Sequence, residues 1–190
     1  VDVRIAPQNS QDTAPGAYYK AASLDGERPA TYNLNLRSTL DWPMWMLPTL
    51  SFHEAAPGHH LQAGLARERA DQPVLNYLIA NPAFAEGWGV YAEDLANELG
   101  AYDNDKLAKL GYLHSLLFRA ARLVVDTGIH SHKWSREQAI SYLAETTGLP
   151  RERMVNEVDR YTGWPGQACA YKTGELKIRE QLVVVIQSEM

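Results

Sequence analysis

The stretch that most constrains the fold of this chain runs from Phe52 to Gln62 and reads FHEAAPGHHLQ. It places three histidines and one glutamate within the eight residues from His53 to His60. Neutral imidazole is the commonest protein ligand for zinc, and a glutamate beside the first ligand is the usual general base for an attacking water. Pro57 lacks the backbone N–H that a helix needs, so the stretch predicts a broken or bulged helix that carries a metal site.

The spacing of the histidines differs from that of the H-E-x-x-H motif, in which two ligands lie four residues apart on one helix face. Here the fourth residue after His53 is Pro57, which cannot bind a metal. In a straight helix His60 would share a face with His53 but lie roughly 10 Å further along the axis. A bulge that loops out two residues brings His59 to the ligand position, whereas a bulge of three brings His60 there; we favour His59.

The alternative interpretation is a histidine-rich helix end, because imidazole near a helix C-terminus suits the helix dipole. That explanation would be sufficient for one histidine. A His-Glu pair followed by a His pair at workable spacing favours a metal site instead.

Size and composition are those of a globular protein with one sizeable core. The chain has 190 residues, of which 45% are hydrophobic, and its formal net charge is −5. No basic patch indicates a nucleic-acid partner. The longest apolar run, Leu182 to Ile186, is too short to span a membrane, so no transmembrane segment is expected. The single cysteine, Cys169, excludes an internal disulfide.

The order of patterns along the chain predicts a single domain, 1–190, that is mainly α with a small β element (α+β). Residues 1–37 alternate and turn like short strands and loops, with a hairpin signal at Asp25-Gly26. Residues 38–190 carry helical periodicity and capping signals. One helix is expected from Lys106 to Val125, with His130 in the loop that follows.

A second functional stretch lies on a predicted helix from Ala83 to Leu99. Glu86 stands among small and apolar residues there and would supply the third metal ligand. Glu93 follows seven residues later on the same face, where it could orient a ligating histidine without itself binding the metal. The alternative for these acids is a solvated helix surface.

The segment around Pro165-Gly166 breaks the backbone beside polar side chains that could face a cleft. The hydroxyl of Tyr171 could donate a hydrogen bond to a developing oxyanion. The alternative for Tyr171 is a half-buried aromatic residue on a helix.

Several of these stretches together are similar to the bacterial DUF885 family, which is related to the zinc metallopeptidases of the gluzincin type. The match covers nearly the whole chain. The matching segments are HEAAPGHHLQ at 53–62, AEGW at 85–88 with Tyr91 and Glu93, RAARLVVDTGIH at 119–130, Arg160-Tyr161, PGQA at 165–168 and AYK at 170–172.

The resemblance implies a gluzincin-like helical zinc peptidase domain in which two histidines and a glutamate bind Zn²⁺. It also implies that Glu54 is the general base. On this interpretation Tyr171 and His130 stabilise the oxyanion. The residues that would bind peptide or small-molecule substrate are Arg122, Arg160 and Gln167, the arginines by pairing with a substrate carboxylate.

Two other functions remain open at this point. An ester or lactone hydrolase could use the same water and base. A non-catalytic binding remnant could use Trp42, Trp45 and Trp88 to line a cleft. Family chains are usually longer, with a large helical portion before this region and a further histidine-bearing segment after it. The chain is therefore expected to be a C-terminal piece that works with the missing N-terminal part of its own chain, and an extracytoplasmic location is favoured because family members are often exported.

Overall fold

The computed structural model describes residues 1–11, 14–37, 43–69, 73, 75 and 81–189. Most of these residues are helical, and a three-stranded sheet accompanies the helices. The predicted fold class, mainly α with a small β element, is therefore confirmed. No helix within the described ranges has the length and apolar character that crossing a bilayer requires.

Contacts divide the chain into two compact units. The first comprises Val1–Ala80 and Tyr91–Tyr112, and the second comprises Asn81–Val90 and Leu113–Met190. Two long helices contribute residues to both units.

The sheet of the first unit is built from three four-residue strands, β1 (Asp2–Ile5), β2 (Ala17–Lys20) and β3 (Thr31–Leu34). β3 lies in the middle, parallel to β1 and antiparallel to β2. Three consecutive residues of β3 are buried, as expected for a central strand, while β1 is exposed. β2, which lies on the other side of β3 from β1, contacts the helix that carries His53.

That helix, α1 (Leu47–Glu54), is separated from α2 (His59–Glu68) by the Pro-Gly segment. The backbone of Gly58 lies so close to α1 that a Cβ there would sit 1.9 Å from the carbonyl oxygen of His53. Only glycine fits such an approach. The interruption predicted from the sequence is thus a complete break, after which a new helix begins at His59. Trp42, named above as a possible cleft residue, lies outside the described residues.

Helices α3 (Pro82–Glu98) and α4 (Lys106–His130) begin at side-chain caps. Asn81 Oδ1 accepts from the backbone N–H of Ala83 at 2.9 Å, and Asp105 Oδ1 accepts from that of Ala108 at 2.9 Å. Such caps satisfy donors that have no partner within the helix. The predicted helix start at Lys106 is therefore confirmed.

The predicted end of α4 at Val125 is wrong, because the helix continues to His130. Glycine commonly follows the end of a helix, yet Gly128 remains helical. A Cβ at Gly128 would meet the ring of Trp134 at 2.5 Å, so the glycine allows this ring to pack against the helix backbone. Packing has overridden the local preference of glycine for a helix end.

The second unit is completed by α5 (Arg136–Thr147), α6 (Arg151–Gly163) and α7 (Gln167–Glu189). Ser135 accepts from the N–H of Gln138, and Gly148 ends α5 in the left-handed conformation with φ 67°. The core of this unit contains Phe118, Ala121, Val125, Ala139, Ile140, Leu143, Met154, Val158, Tyr161 and Ala168.

Within this unit, α3 and α7 approach each other closely at two glycines. A Cβ on Gly87 would lie 2.5 Å from the Cα of Gly174, and a Cβ on Gly174 would lie 1.8 Å from the carbonyl oxygen of Ala83. Only glycine allows this approach. It brings Glu86 on α3 into the neighbourhood of the first turns of α7.

Candidate metal centre

The last turn of α1 carries His53 and Glu54, both of which are buried. The Nδ1 atom of His53 lies 2.8 Å from Oε1 of Glu93, and the hydroxyl of Thr49 donates to Oε2 of the same carboxylate at 2.6 Å. A carboxylate only accepts hydrogen bonds, so Nδ1 carries the proton and the lone pair of His53 is on Nε2. This is the tautomer that binds a metal through Nε2, with a carboxylate behind it.

The helix break brings His59 to His53. Their ring centroids are 4.8 Å apart and the rings meet edge to face. His60 instead has its Nδ1 atom 3.3 Å from the hydroxyl of Tyr19. Adjacent residues on a helix point about 100° apart, so the two neighbouring imidazoles cannot easily share one ion.

His53, His59 and Glu86 form a group that could hold a metal ion. Each offers one ligand atom, and these atoms lie within 4.8 Å of one another. Tetrahedral zinc with ligands at about 2.0–2.1 Å has ligand atoms about 3.4 Å apart, a separation below the 4.8 Å limit of this group. Two neutral imidazoles and one carboxylate form the donor set of a catalytic zinc site, so the residues fit this metal.

Glu54 lies beside a tyrosine of the central strand. Burial raises the pKa of Tyr32 to about 12, and the negative charge of Glu54 adds to that effect. Tyr32 therefore keeps its proton at neutral pH. Glu54 is only 5% exposed, a burial that suits a general base more than a surface acid.

In the second unit, Glu86 contacts the first turns of α7. Gln167 Nε2 lies 3.5 Å from Oε1 of Glu86 and 3.5 Å from the hydroxyl of Tyr171. Burial raises the pKa of Tyr171, and the charge of Glu86 raises it further against the opposing effect of two arginines. Tyr171 is therefore a protonated hydroxyl that can donate a hydrogen bond.

The predicted substrate-binding arginines, Arg122 and Arg160, both pair with Glu157. Burial alone would raise the pKa of Glu157, but the two guanidinium groups and hydrogen bonds from Arg160 and Tyr161 lower it to about 2. Arg122 is 4% exposed and donates from Nε to the hydroxyl of Tyr161 at 2.8 Å. Its guanidinium carbon lies 4.2 Å from the ring centroid of Tyr171. This placement favours a role in holding Tyr171 over direct contact with substrate.

His130 lies in the last turn of α4, and its side chain contacts α6. Its Nε2 atom is 3.0 Å from the carbonyl oxygen of Tyr161, to which a ring N–H can donate. The residue is exposed. Its predicted role in stabilising an oxyanion stays a prediction.

Several residues that sequence reasoning did not select support the site. Thr49 and Glu157 lie one helical turn before His53 and Arg160, which is the spacing that could have indicated them. The carboxylate of Asp126 is buried and accepts from the N–H of Gly166 at 3.0 Å, which caps the start of α7.

Comparison with known proteins gives a family and a fold. The family described as "Bacterial protein of unknown function (DUF885)" matches residues 1–182. None of the curated proteins compared with the chain matches it.

Two of the solved structures that are similar to this chain are described as follows. A protein of Colwellia psychrerythraea, provisionally described as a lipoprotein, is 48% identical with a TM-score of 0.91, over 95% of this chain and 31% of its own. A protein of Shewanella oneidensis, provisionally described as a lipoprotein of unknown function, is 24% identical with a TM-score of 0.80, over 98% of this chain and 35% of its own. The second likeness shows the fold alone. The chain spans about a third of the length of these proteins.

Proposed function

Because this chain belongs to the DUF885 family of bacterial proteins, we propose that it is a zinc-dependent hydrolase, most simply a metallopeptidase that cleaves peptide bonds. One observation carries the proposal: His53, His59 and Glu86 present their ligand atoms together, and Glu93 holds His53 in the tautomer that binds metal. The gluzincin kinship inferred from the sequence belongs to this proposal as well.

In the proposed site, His53, His59 and Glu86 hold Zn²⁺. A bound zinc ion makes water more acidic and polarises a substrate carbonyl group. Glu54, next to the first ligand in the chain, accepts the proton of the attacking water and passes it to the leaving amine. The hydroxyl of Tyr171, protonated at neutral pH, is the donor for the developing oxyanion.

Glu93 and Thr49 act on the ligand rather than on the substrate. The hydroxyl of Thr49 holds the carboxylate of Glu93, and the contact of that carboxylate with Nδ1 fixes the ring of His53 and increases its basicity. The side chain of Glu93 is fully buried, so its negative charge is little screened by water.

The proposal extends to the location of the protein. The proteins of Colwellia psychrerythraea and Shewanella oneidensis are provisionally described as lipoproteins, which supports an extracytoplasmic location. The substrate specificity of the whole protein also depends on whatever surrounds this region in a longer chain.

The experiment is metal analysis of the protein purified without added zinc, followed by zinc titration in the presence of a competing chelator. We expect about one equivalent of zinc per chain and a single tight site. Less than about one tenth of an equivalent, together with no binding on titration, contradicts the proposal.

Hydrolysis is then measured on a peptide mixture and on a panel of acyl esters and lactones. Cleavage of peptides supports a peptidase, while cleavage of the esters alone supports the ester or lactone hydrolase and overturns the peptidase assignment. The matched control is Glu54→Gln, which should bind zinc normally and lose hydrolysis. Hydrolysis lost on this substitution also excludes a purely non-catalytic binding role.

A further inference from the structure

Gln167 has a side-chain amide whose orientation is set by its neighbours. Its Oε1 atom lies 2.8 Å from NH1 of Arg160, and its Nε2 atom lies 3.5 Å from Oε1 of Glu86. A guanidinium group only donates hydrogen bonds and a carboxylate only accepts them. Both contacts therefore require the same orientation, with the amide oxygen toward Arg160 and the NH₂ group toward Glu86.

The second N–H of the amide has a defined neighbour as well. Nε2 of Gln167 is 3.5 Å from the hydroxyl oxygen of Tyr171. An N–H that donates to this oxygen leaves the tyrosine proton to point away from Gln167. The two contacts are long for hydrogen bonds and individually weak, but they act on the third metal ligand and on the proposed oxyanion donor together.

Arg160 is itself held in place. Its NH2 atom donates to Oε2 of Glu157 at 2.8 Å, and the same oxygen accepts from the hydroxyl of Tyr161 at 2.8 Å. A planar guanidinium bound at one edge presents its remaining N–H groups in fixed directions. One edge of Arg160 is thus bound to α6 and another N–H reaches α7.

We propose that Arg160 and Gln167 form a positioning relay for the metal centre: Arg160 fixes the amide of Gln167, which orients the carboxylate of Glu86 and the hydroxyl of Tyr171. This inference rests on the proposed function, since it names the residues that prepare the same site. It replaces the direct substrate-binding roles assigned to Arg160 and Gln167 from the sequence.

The alternative is that Arg160 binds a substrate carboxylate. Such an arginine would affect KM for substrates with a free C-terminal carboxylate and would leave metal affinity unchanged. A relay residue that orients a ligand affects metal affinity in the absence of any substrate. Metal affinity therefore separates the two roles without relying on activity.

The experiment measures Zn²⁺ affinity by chelator competition in the wild type, Gln167→Met, Arg160→Met and the double variant. Methionine is close to glutamine in size and removes both the donor and the acceptor. We expect each single variant to lose about 10- to 100-fold in zinc affinity. The double variant should lose no more than the larger single effect, because Arg160 acts through Gln167.

Matched controls are Gln138→Met and Arg136→Met, which remove an exposed glutamine and an exposed arginine from α5. Both should bind zinc like the wild type. Arg160→Lys serves as the conservative variant, and unfolding curves of each metal-free variant show whether it is folded. A lysine cannot reach Glu157 and Gln167 with two fixed N–H groups, so only partial recovery is expected.

A wild type that binds no zinc overturns the proposed function and the relay together. A wild type that binds zinc tightly, with folded Gln167→Met of unchanged affinity, overturns the relay and leaves the proposed function standing. Additive losses in the double variant also overturn the relay. A raised KM for substrates with a free carboxylate in Arg160→Met, with metal affinity unchanged, assigns Arg160 to the substrate instead.

Discussion

The Nδ1 atom of His53 lies 2.8 Å from Oε1 of Glu93, although 40 residues separate the two in the chain. Both side chains are buried, at 3% and 0% exposure. The contact decides which nitrogen of His53 carries the proton, and so it prepares the other nitrogen for a metal.

Glu93→Gln is therefore expected to weaken zinc binding by about 10- to 100-fold. Glutamine keeps the size of the side chain and can still accept from His53, but it removes the negative charge that increases imidazole basicity. Chelator competition measures the loss. The matched control is Glu98→Gln at an exposed position of the same helix, and equal affinities in the two variants would contradict the role of Glu93.

Replacing His59 should weaken zinc binding more than replacing its neighbour His60. His59→Ala removes a metal ligand, whereas Glu93→Gln changes only a hydrogen-bond partner of a ligand. The loss of zinc affinity in His59→Ala should therefore exceed the roughly 10- to 100-fold expected for Glu93→Gln. His60→Ala should reduce it only modestly, since the ring of His60 contacts Tyr19. Zinc titration of both variants tests this. The reverse ranking would show that His60 is the ligand, and full zinc occupancy in both would remove the site assignment.

Glu54→Gln should retain zinc and lose roughly 10²- to 10⁴-fold in turnover, the range that general acid–base groups contribute. The amide cannot accept a proton, whereas the ligands are unchanged. Steady-state kinetics with zinc content measured on the same sample separate the two effects. Turnover within a few-fold of the wild type would mean that another group is the base.

The ion pairs of Glu157 should make stability depend on pH. The pKa of Glu157 is lowered from 4.5 to about 2 in the folded protein, so its contribution is fully present above pH 4.5 and is lost as the pH falls toward 2. The shift corresponds to a contribution on the order of 3 kcal/mol. Urea unfolding of metal-free wild type and Glu157→Gln at pH 6 and pH 3 measures the difference in stability. The stability difference between the wild type and Glu157→Gln should be smaller at pH 3 than at pH 6. An equal difference at both pH values would argue against these ion pairs.

Gly174→Ala should destabilise the second unit by about 3 kcal/mol, because its new Cβ would lie 1.8 Å from the carbonyl oxygen of Ala83. Gly64→Ala on α2 is the matched control, since a Cβ there meets nothing within 4 Å. Removing a flexible glycine from an open helix position should stabilise by up to about 1 kcal/mol. Thermal unfolding measures the stability of both variants. Equal changes in stability would contradict the close approach of α3 and α7.

The sequence predicted much of the local structure. The helix break before His59 and the caps at Asp105, Ser135 and Gly148 all depend on residues within a few positions of one another. Hydrogen bonds of this range follow from residue type and spacing. The end of α4 was not predictable in this way, because Trp134 packs against Gly128 and keeps it helical.

By itself the sequence determined which side chains are capable of binding a metal and that the helix carrying them must break at Pro57-Gly58. It left open whether His59 or His60 lies beside His53, because a difference of one residue in the break exchanges them. Only the tertiary structure decided this, and it also paired Glu93 with His53 and turned Arg122 toward Tyr171. The last two contacts join residues 40 and 49 positions apart, and the packing of helices against one another, rather than any local preference, determines which of them meet.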